Sequence, residues 1–524
     1  MLRPVSRPKS SAKLSNPGKQ TYGQILKSST LIGGSSVLNL AIGMVRTKVM
    51  VLLLGTAGYG LMGFYMTISD LVRSVAGLGV NTSGVRQIAE ATGSGDAQRL
   101  ARTVITLRRV ALYSGALGAL LLLIFCRQVS RLTFGDEHHA RGVAVLSLAV
   151  FFGDVSAGQA ALVQGMRRIA DLAKMSVLGA LYGTLFSIPI VYYYYRQGMA
   201  EKGVAPSLVC VAAMSIITSW WYARKVKVER VRISLQETLG EVSALLKLGV
   251  VFMSTGLMTF GGAYLIRIFL RHEMNMAAVG LYQSAWMLGT LYIGVILQAM
   301  GADFFPRLTA VAGNNAECNR LVNEQAEVGM LMAAPGIIAT LTFTPIVISL
   351  FFSAKFGPAV DLLRWICLGM VLRVVSWPIG FIFLAKGARS IFFWTEVLCN
   401  AAYVGFVWVS VLRFGLTGAG IAFFATYIVS LSVNYLIARR LSGFRWSPAS
   451  RRLAFLFIPL IAAVFVAQYT LSVPVAITLG VAATLVTGIY SLKTLCTLVP
   501  LERMPQLARR MIVFLRLATP TTTV

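Results

Sequence analysis

Two long apolar segments, residues 25–54 and 59–80, are joined by the short turn Gly55-Thr56-Ala57-Gly58. Each is long enough to cross a ~30 Å hydrocarbon core as a helix, which takes roughly 20 residues. Both nevertheless carry charge: Arg46 and Lys48 in the first, Asp70 and Arg73 in the second. A cation near the bilayer centre costs about 2.5–3.5 kcal/mol on the mildest scale, so such residues turn toward a bundle interior or a wet cavity. Ser36, Asn39, Gly43 and Arg46 fall on one helical face. Thr67, Asp70, Ser74, Gly77 and Asn81 do the same on the second segment. Two polar stripes on adjacent spans predict the wall of a hydrophilic cavity. The competing reading, in which Asp70 and Arg73 only neutralise each other, leaves Arg46 without a role.

Hydropathy divides the chain into about fourteen spans. They fall near 25–54, 59–80, 106–126, 142–164, 175–195, 204–222, 246–270, 277–301, 324–352, 359–385, 391–412, 418–437, 453–472 and 474–495. With 56% hydrophobic residues and a mean hydropathy of +0.73, the expected fold is an all-α polytopic membrane protein. Orientation follows from the 48 Lys and Arg residues. Six lie well inside spans, Arg46, Lys48, Arg73, Arg267, Arg364 and Arg373, with those at span ends, such as Arg108 and Arg109, counted with the adjoining loops. Eight lie in one set of loops: Arg127, Arg131, Arg141, Arg196, Lys202, Arg271, Lys355 and Arg413. The other 34 lie in the opposite set and the tails, which places both termini in the cytoplasm. Tyr192 to Tyr195 then mark the outer interface and Trp220 and Trp221 the inner one.

The net charge of +29 is spread between apolar segments, a pattern that suits an anionic leaflet and argues against nucleic acid. Cys126, Cys210, Cys318, Cys367, Cys399 and Cys496 have no disulfide or zinc spacing and read as small apolar fillers. The first residues are basic and polar with no apolar core of a signal peptide, so a disordered cytoplasmic tail is expected. Asp136-Glu137-His138-His139 in an outer loop could bind a metal, though adjacent ligands at a loop tip are ordinarily solvated.

The chain also repeats itself. Gly60-Leu61 is echoed by Gly280-Leu281, and Ala91-Thr92-Gly93 by Val311-Ala312-Gly313, both at an offset of 220. Gln164-Gly165-Met166-Arg167 is echoed by Lys386-Gly387-Ala388-Arg389. Spans 1–6 and 7–12 read as two copies of one bundle, parallel because both begin inside. The expected order is a basic tail (1–24), a first lobe (25–222), a cytoplasmic linker (223–245) and a second lobe (246–437). Two further spans (438–495) and a cytoplasmic tail (496–524) complete it.

Several motifs resemble the Wzx-type polysaccharide and oligosaccharide flippases of the multidrug/oligosaccharidyl-lipid/polysaccharide (MOP) exporter superfamily. They are Gly43-Met44-Val45-Arg46, Gly55-Thr56-Ala57-Gly58-Tyr59-Gly60, Gly79-Val80 through Arg86-Gln87-Ile88-Ala89, and Gln164-Gly165-Met166-Arg167-Arg168. The resemblance implies a V-shaped pair of six-helix lobes in a bacterial inner membrane. It implies transfer of undecaprenyl-pyrophosphate-linked sugars to the outer leaflet, membrane lipids as surroundings, and a polysaccharide polymerase and a chain-length regulator as partner proteins. The lipid II flippases of the superfamily share the Gly-x-x-Arg pattern of Gly43 and Arg46. They carry an Asp-Arg pair early in the eighth helix, where this chain has Ser284-Ala285-Trp286. That departure argues against a peptidoglycan precursor. The alternative within the superfamily is a multidrug/ion antiporter, which tends to place carboxylates in its cavities where the first span here offers cations.

Arg46, Arg73, Arg267 and Arg373 are therefore the candidate cavity cations, with Asn39, Gly43 and Ser74 as polar or hinge positions. Arg stays charged and meets phosphate oxygens bidentately. On this reading Arg73 is a buried cation whose removal relieves desolvation. Arg364 and Lys48 are expected to snorkel. Asp70 and Asp154 are candidate acids for a coupling H⁺ or Na⁺, with a structural partnership to a neighbouring Arg as the other reading of Asp154. No cofactor is expected. A membrane-embedded glycosyltransferase or polymerase would need a sizeable outer loop or paired acids at the surface, so an enzyme is not expected.

Overall fold

The computed structural model describes residues 17–94, 96–226, 231 and 235–498. Among them the chain is helical, without a strand. In order come α1 (Pro17–Ala76), α2 (Val80–Ser94), α3 (Ala97–Ile124), α4 (Cys126–Phe134), α5 (Ala140–Gly165), α6 (Ile169–Arg196) and α7 (Val204–Ala223). A second series follows: α8 (Leu235–Glu273), α9 (Met276–Ala310), α10 (Asn315–Phe351), α11 (Ala359–Ala385), α12 (Arg389–Phe414) and α13 (Thr417–Ser442). The chain closes with α14 (Pro448–Thr470) and α15 (Val473–Leu498). Of the expected tails and linker, residues 1–16, 227–230, 232–234 and 499–524 lie outside the described residues. The linker expected up to 245 is shorter, because α8 is already helical at Leu235.

Thirteen helical stretches among the described residues are long and apolar enough to cross a membrane. The first, Gly34–Ala76, contains 43 residues and breaks at Gly55 (φ 68°, ψ −167°). A straight helix of that length would reach about 64 Å, twice the hydrocarbon thickness. The contacts show that it doubles back. Asn39 on the first arm donates to Ser176 Oγ (2.7 Å), and Arg73 on the second arm bonds Asp154 (3.3 Å). Ser176 and Asp154 both lie within about a dozen residues of the α5–α6 turn, whereas 34 residues of straight helix would separate Asn39 from Arg73 by about 50 Å. At the tip, Lys48 and Tyr59 meet the same residue, Phe352. The broken helix therefore supplies two crossings, and the fourteen predicted spans are all present.

Hydropathy missed two short helices. α2 is amphipathic, with Ile88 buried and an exposed Arg86–Glu90 pair at 2.8 Å, so an average over its length conceals it. α4 occupies the loop expected over 127–141.

The two series pack alike. α5 lies against α3 and α7 with α6 on α7, while α11 lies against α10 and α13 with α12 on α13. α14 and α15 lean on α10, outside the repeat. The structure corrects one register. Arg167 (φ 55°) and Gly387 (φ 71°) occupy the same left-handed place in the α5–α6 and α11–α12 turns. In one turn Arg168 N donates to Val163 O, and in the other Ala388 N donates to Phe383 O. Arg167 thus matches Gly387 at the common offset of 220, not Arg389 as the letters suggested. An L-residue in that conformation is strained by about 1–2 kcal/mol, and Gly is not. Arg167 is exposed. Arg167→Gly is therefore expected to raise the melting temperature of the purified protein by a few degrees; an unchanged or lower value would contradict the register.

Candidate transport cavity

The lobes touch at the Gly55-turn end through repeat-related residues. A Cβ added to Gly60 would strike the Met276 carbonyl and lie 2.9 Å from Gly280 N; one added to Gly280 would strike the Thr56 carbonyl and lie 3.0 Å from Gly60 N. Thr56 and Met276 stand at the same 220-residue offset as the two glycines, so the crossing lies on a pseudo-two-fold axis, where one patch meets its own equivalent. Only glycine allows the backbones so close. Around it Lys48 Nζ donates to Ser349 O (3.0 Å) and to Phe352 O, capping the last carbonyls of α10. Tyr59 packs edge-on against Phe352 and Phe356. Thr133 and Tyr264 share a hydrogen bond of 2.5 Å, and Arg271 faces Asp136 at 4.0 Å. This end is sealed. Lys48 does not snorkel: it is a clamp between lobes.

The opposite end is asymmetric. The second arm stays on α8, with Ser74 against Gly256 and the Leu78 carbonyl against Gly249. The equivalent crossing, between the first arm and α9, is open. Gly294, the repeat mate of Ser74, and Gly43 would both carry a Cβ with nothing within 4 Å. Val37, Leu38, Tyr292 and Val295 are exposed along the same edges. Beyond the contact of Thr47 with Met287 (4.0 Å), the first arm and α9 therefore part toward the α5–α6 turn end.

The charged residues divide into three groups. Arg46 is half-buried and makes no hydrogen bond or ion pair among the described residues; its electrostatic neighbour is Tyr59. Arg267 interacts with the same Tyr59 and with Asp70. It is only 5% exposed, donates to Ala263 O (2.9 Å) and Gln283 Oε1, and lies 5.6 Å from the Tyr282 ring, leaving its buried Nε without a partner. Arg73 donates to Asp154 Oδ1 (3.3 Å) and Gly153 O (3.1 Å) and lies 3.9 Å from Asp70. Asp154 is 2% exposed, and its Oδ2 has no partner. Asp70 is 43% exposed. Arg373 lies apart, in a cavity of the second lobe.

Among the described residues, Arg46 and Arg373 make no hydrogen bond or ion pair, Arg373 having Glu396 as an electrostatic neighbour, whereas Arg73 and Arg267 are bonded. Asp154 reaches Arg73 across 81 positions, and Gln283 reaches Arg267 from the next helix. Neither acceptor stands at helical spacing from its arginine, so no periodicity could reveal them. Of the polar positions, Asn39 holds α6, Gly43 faces open space and Ser74 packs on α8. Arg364 is 9% exposed, bonded to Asp361 (3.2 Å) and to Gln468 of α14 (3.0 Å), so it pins α14 and does not snorkel. In the loop before α5, Asp136 accepts from His138 N (2.9 Å) and faces His139 Nδ1 at 3.5 Å, while Glu137 pairs with Arg131. These contacts occupy the groups that a metal would need.

Two repeated helical lobes of membrane-spanning helices, joined at one end through the glycine crossing, define a polytopic membrane protein. The chain belongs to the polysaccharide biosynthesis protein family, whose model matches residues 49–361, more than half its length. It is 24% identical over 418 residues to the lipid III flippase of Escherichia coli K12, covering 78% of this chain and 97% of that one. Among solved structures, the lipid II flippase MurJ in an inward closed conformation superposes with a TM-score of 0.66 at 12% identity, over 90% of this chain and 99% of that one. An inward-facing multidrug resistance MATE transporter of the MOP superfamily gives 0.62 at 19% identity, over 78% and 98%. The predicted MOP fold is the fold observed.

Proposed function

We propose that this chain is a flippase that carries an undecaprenyl-pyrophosphate-linked oligosaccharide from the cytoplasmic to the outer leaflet of a bacterial inner membrane. One observation carries the reading: Arg46, a half-buried arginine with no ion pair among the described residues, stands on the arm that parts from α9 at Gly43 and Gly294. That parting lets a polyprenyl tail remain in lipid along Val37, Leu38 and Val295 while its polar head enters. Arg46 meets the pyrophosphate with a forked, permanently charged donor. The distribution of Lys and Arg supports a cytoplasmic open end, where such lipids are assembled. The lipid III flippase relative and the family match support a lipid-linked saccharide as cargo.

Arg73 has a second role. A pyrophosphate competing for its guanidinium weakens the pairing with Asp154 and Asp70 and frees a carboxylate for H⁺ or Na⁺. Closure of the first arm and α9 around the cargo then opens the sealed end through the glycine crossing. Asp154→Asn is accordingly expected to keep cargo binding and lose the response of transport to an imposed ion gradient. Undiminished gradient-driven transport would leave Asp154 as a structural partner only.

The reading as a multidrug/ion antiporter requires acids available to organic cations; Asp154, the most buried acid among the described residues, already faces Arg73, which leaves Asp70 and Glu396 as the acids that reading would use. The decisive experiment is reconstitution into liposomes with a fluorescent undecaprenyl-pyrophosphate-linked oligosaccharide. Protein-dependent appearance of the sugar on the opposite leaflet is expected, with no efflux of ethidium. Ethidium efflux without lipid transfer would replace the proposal.

A further inference from the structure

We propose that the cavity holding Arg373, inside the second lobe, is a recognition subsite for the sugar rings of the cargo. The inference rests on the flippase reading and adds a location and a chemistry to it. The cavity measures about 400 Å³, within the roughly 300–1,000 Å³ of small-molecule sites. It is bounded by α8, α9, α11, α12 and α13, so it belongs to one lobe and persists while the lobes move relative to one another.

Its lining matches a pyranose. Such a ring presents C–H bonds on its faces and hydroxyls around its edge, so it needs flat aromatic walls with polar groups between them. On one side Trp286 lies nearly parallel to Tyr282 and Tyr403, each at 24°. On the other, Trp377 packs on Phe381 at 4.5 Å. Both tryptophans line the cavity. Between them the polar groups are unsaturated. Asn434 gives its Nδ2 to Ser376 Oγ (3.0 Å), and its Oδ1 is buried with no partner among the described residues. Arg373 and Glu396 face the same space, and neither side chain makes a hydrogen bond or ion pair among the described residues. A guanidinium supplies donors and a carboxylate acceptors, the two functions a ring of hydroxyls requires.

The position also fits. Gly380, Phe381, Leu384 and Phe392 line the cavity beside the α11–α12 turn, the repeat equivalent of the α5–α6 turn toward which the first arm and α9 part. Tyr282 lines the cavity and lies 5.6 Å from Arg267, which places the subsite next to the cationic groups under the seal. Pyrophosphate near Arg46 and sugar near Arg373 thus become two parts of one extended site.

The test measures binding of two lipids to the full-length protein in nanodiscs by native mass spectrometry. One probe is undecaprenyl pyrophosphate; the other is undecaprenyl-pyrophosphoryl-N-acetylglucosamine. The sugar-bearing lipid is expected to bind tighter by roughly tenfold, about the effect of one good polar contact set. Trp377→Leu and, as a more conservative change, Glu396→Gln should remove that preference and leave binding of the bare lipid unchanged. Arg46→Gln should weaken both lipids alike and keep the preference. Equal binding of both lipids by the unaltered protein would overturn the subsite and leave the flippase reading standing. A preference that survives both cavity variants would overturn the subsite as well. Binding of neither lipid would overturn the flippase reading and the subsite with it.

Discussion

Arg73→Ala is expected to reduce the amount of folded protein, by a destabilisation of about 1–3 kcal/mol, the effect of leaving a buried polar group without its partner, because Asp154 is buried while Arg73 is 33% exposed. Asp154 is 2% exposed, and among the described residues its ion-pair partner is Arg73, at 3.3 Å. Removing the arginine leaves a carboxylate buried beside Gly77 and Gly115 with no ion-pair partner among the described residues. The sequence alone gives the opposite sign, since loss of a buried cation would relieve desolvation. Asp154 reverses it. The neutral double variant Arg73→Gln with Asp154→Asn is expected to recover folded protein, because replacing both partners of a buried pair is often nearly neutral. Asp70→Asn should matter far less, by under about 1 kcal/mol, because that carboxylate is 3.9 Å away and 43% exposed. Thermal melts of the four proteins in one detergent decide the matter. If Arg73→Ala melts with the parent, the pair is not what holds α5 to the second arm. The double variant also separates structure from transport when Asp154→Asn is run beside it: folded, yet without the gradient-independent lipid transfer that Asp154→Asn alone retains, it would assign Arg73 a share in handling cargo.

What the sequence disclosed and what it withheld follow from the range of the interactions. Spans and turns are local, and the break at Gly55 was visible as a glycine-rich turn between two apolar runs. The repeat was visible because Gly60 and Gly280 must both be glycine for the backbones to meet, so the pseudo-axis left its mark in the letters. The pairing of Arg73 with Asp154 left none, since it joins residues on different helices with no fixed spacing. Lys48 is similar: its acceptors are backbone carbonyls about 300 positions later, which any residue could provide. The cavity around Arg373 draws on five helices, and its aromatic residues were indistinguishable from core packing until those helices were placed. Helix α2 escaped for a different reason, because half its surface is polar.

Arg46→Gln is expected to abolish most transport without reducing the amount of folded protein, the reverse of Arg73→Ala. The guanidinium makes no hydrogen bond or ion pair among the described residues, and Gly43, one turn away, faces open space. Nothing in the protein is left unsatisfied when the charge goes, and the burial of an unpaired cation is relieved. The melting temperature should therefore hold or rise. Transport should fall from roughly tenfold to more than a hundredfold, the range spanned by losing one hydrogen bond to a charged group worth about 1.5–3 kcal/mol. Arg46→Lys should recover part of it, because an ammonium keeps the charge and loses the fork that matches two phosphate oxygens. Lys48→Gln, two residues on, supplies the contrast: it removes the cap on the α10 carbonyls, so stability should fall with transport. Transfer rates and melts of the three variants, measured in the same vesicles, distinguish a ligand-handling charge from a structural one. Full transport by Arg46→Gln would remove the central residue of the flippase reading, and a lowered melting temperature would show that Arg46 is held by the protein and not kept for a ligand.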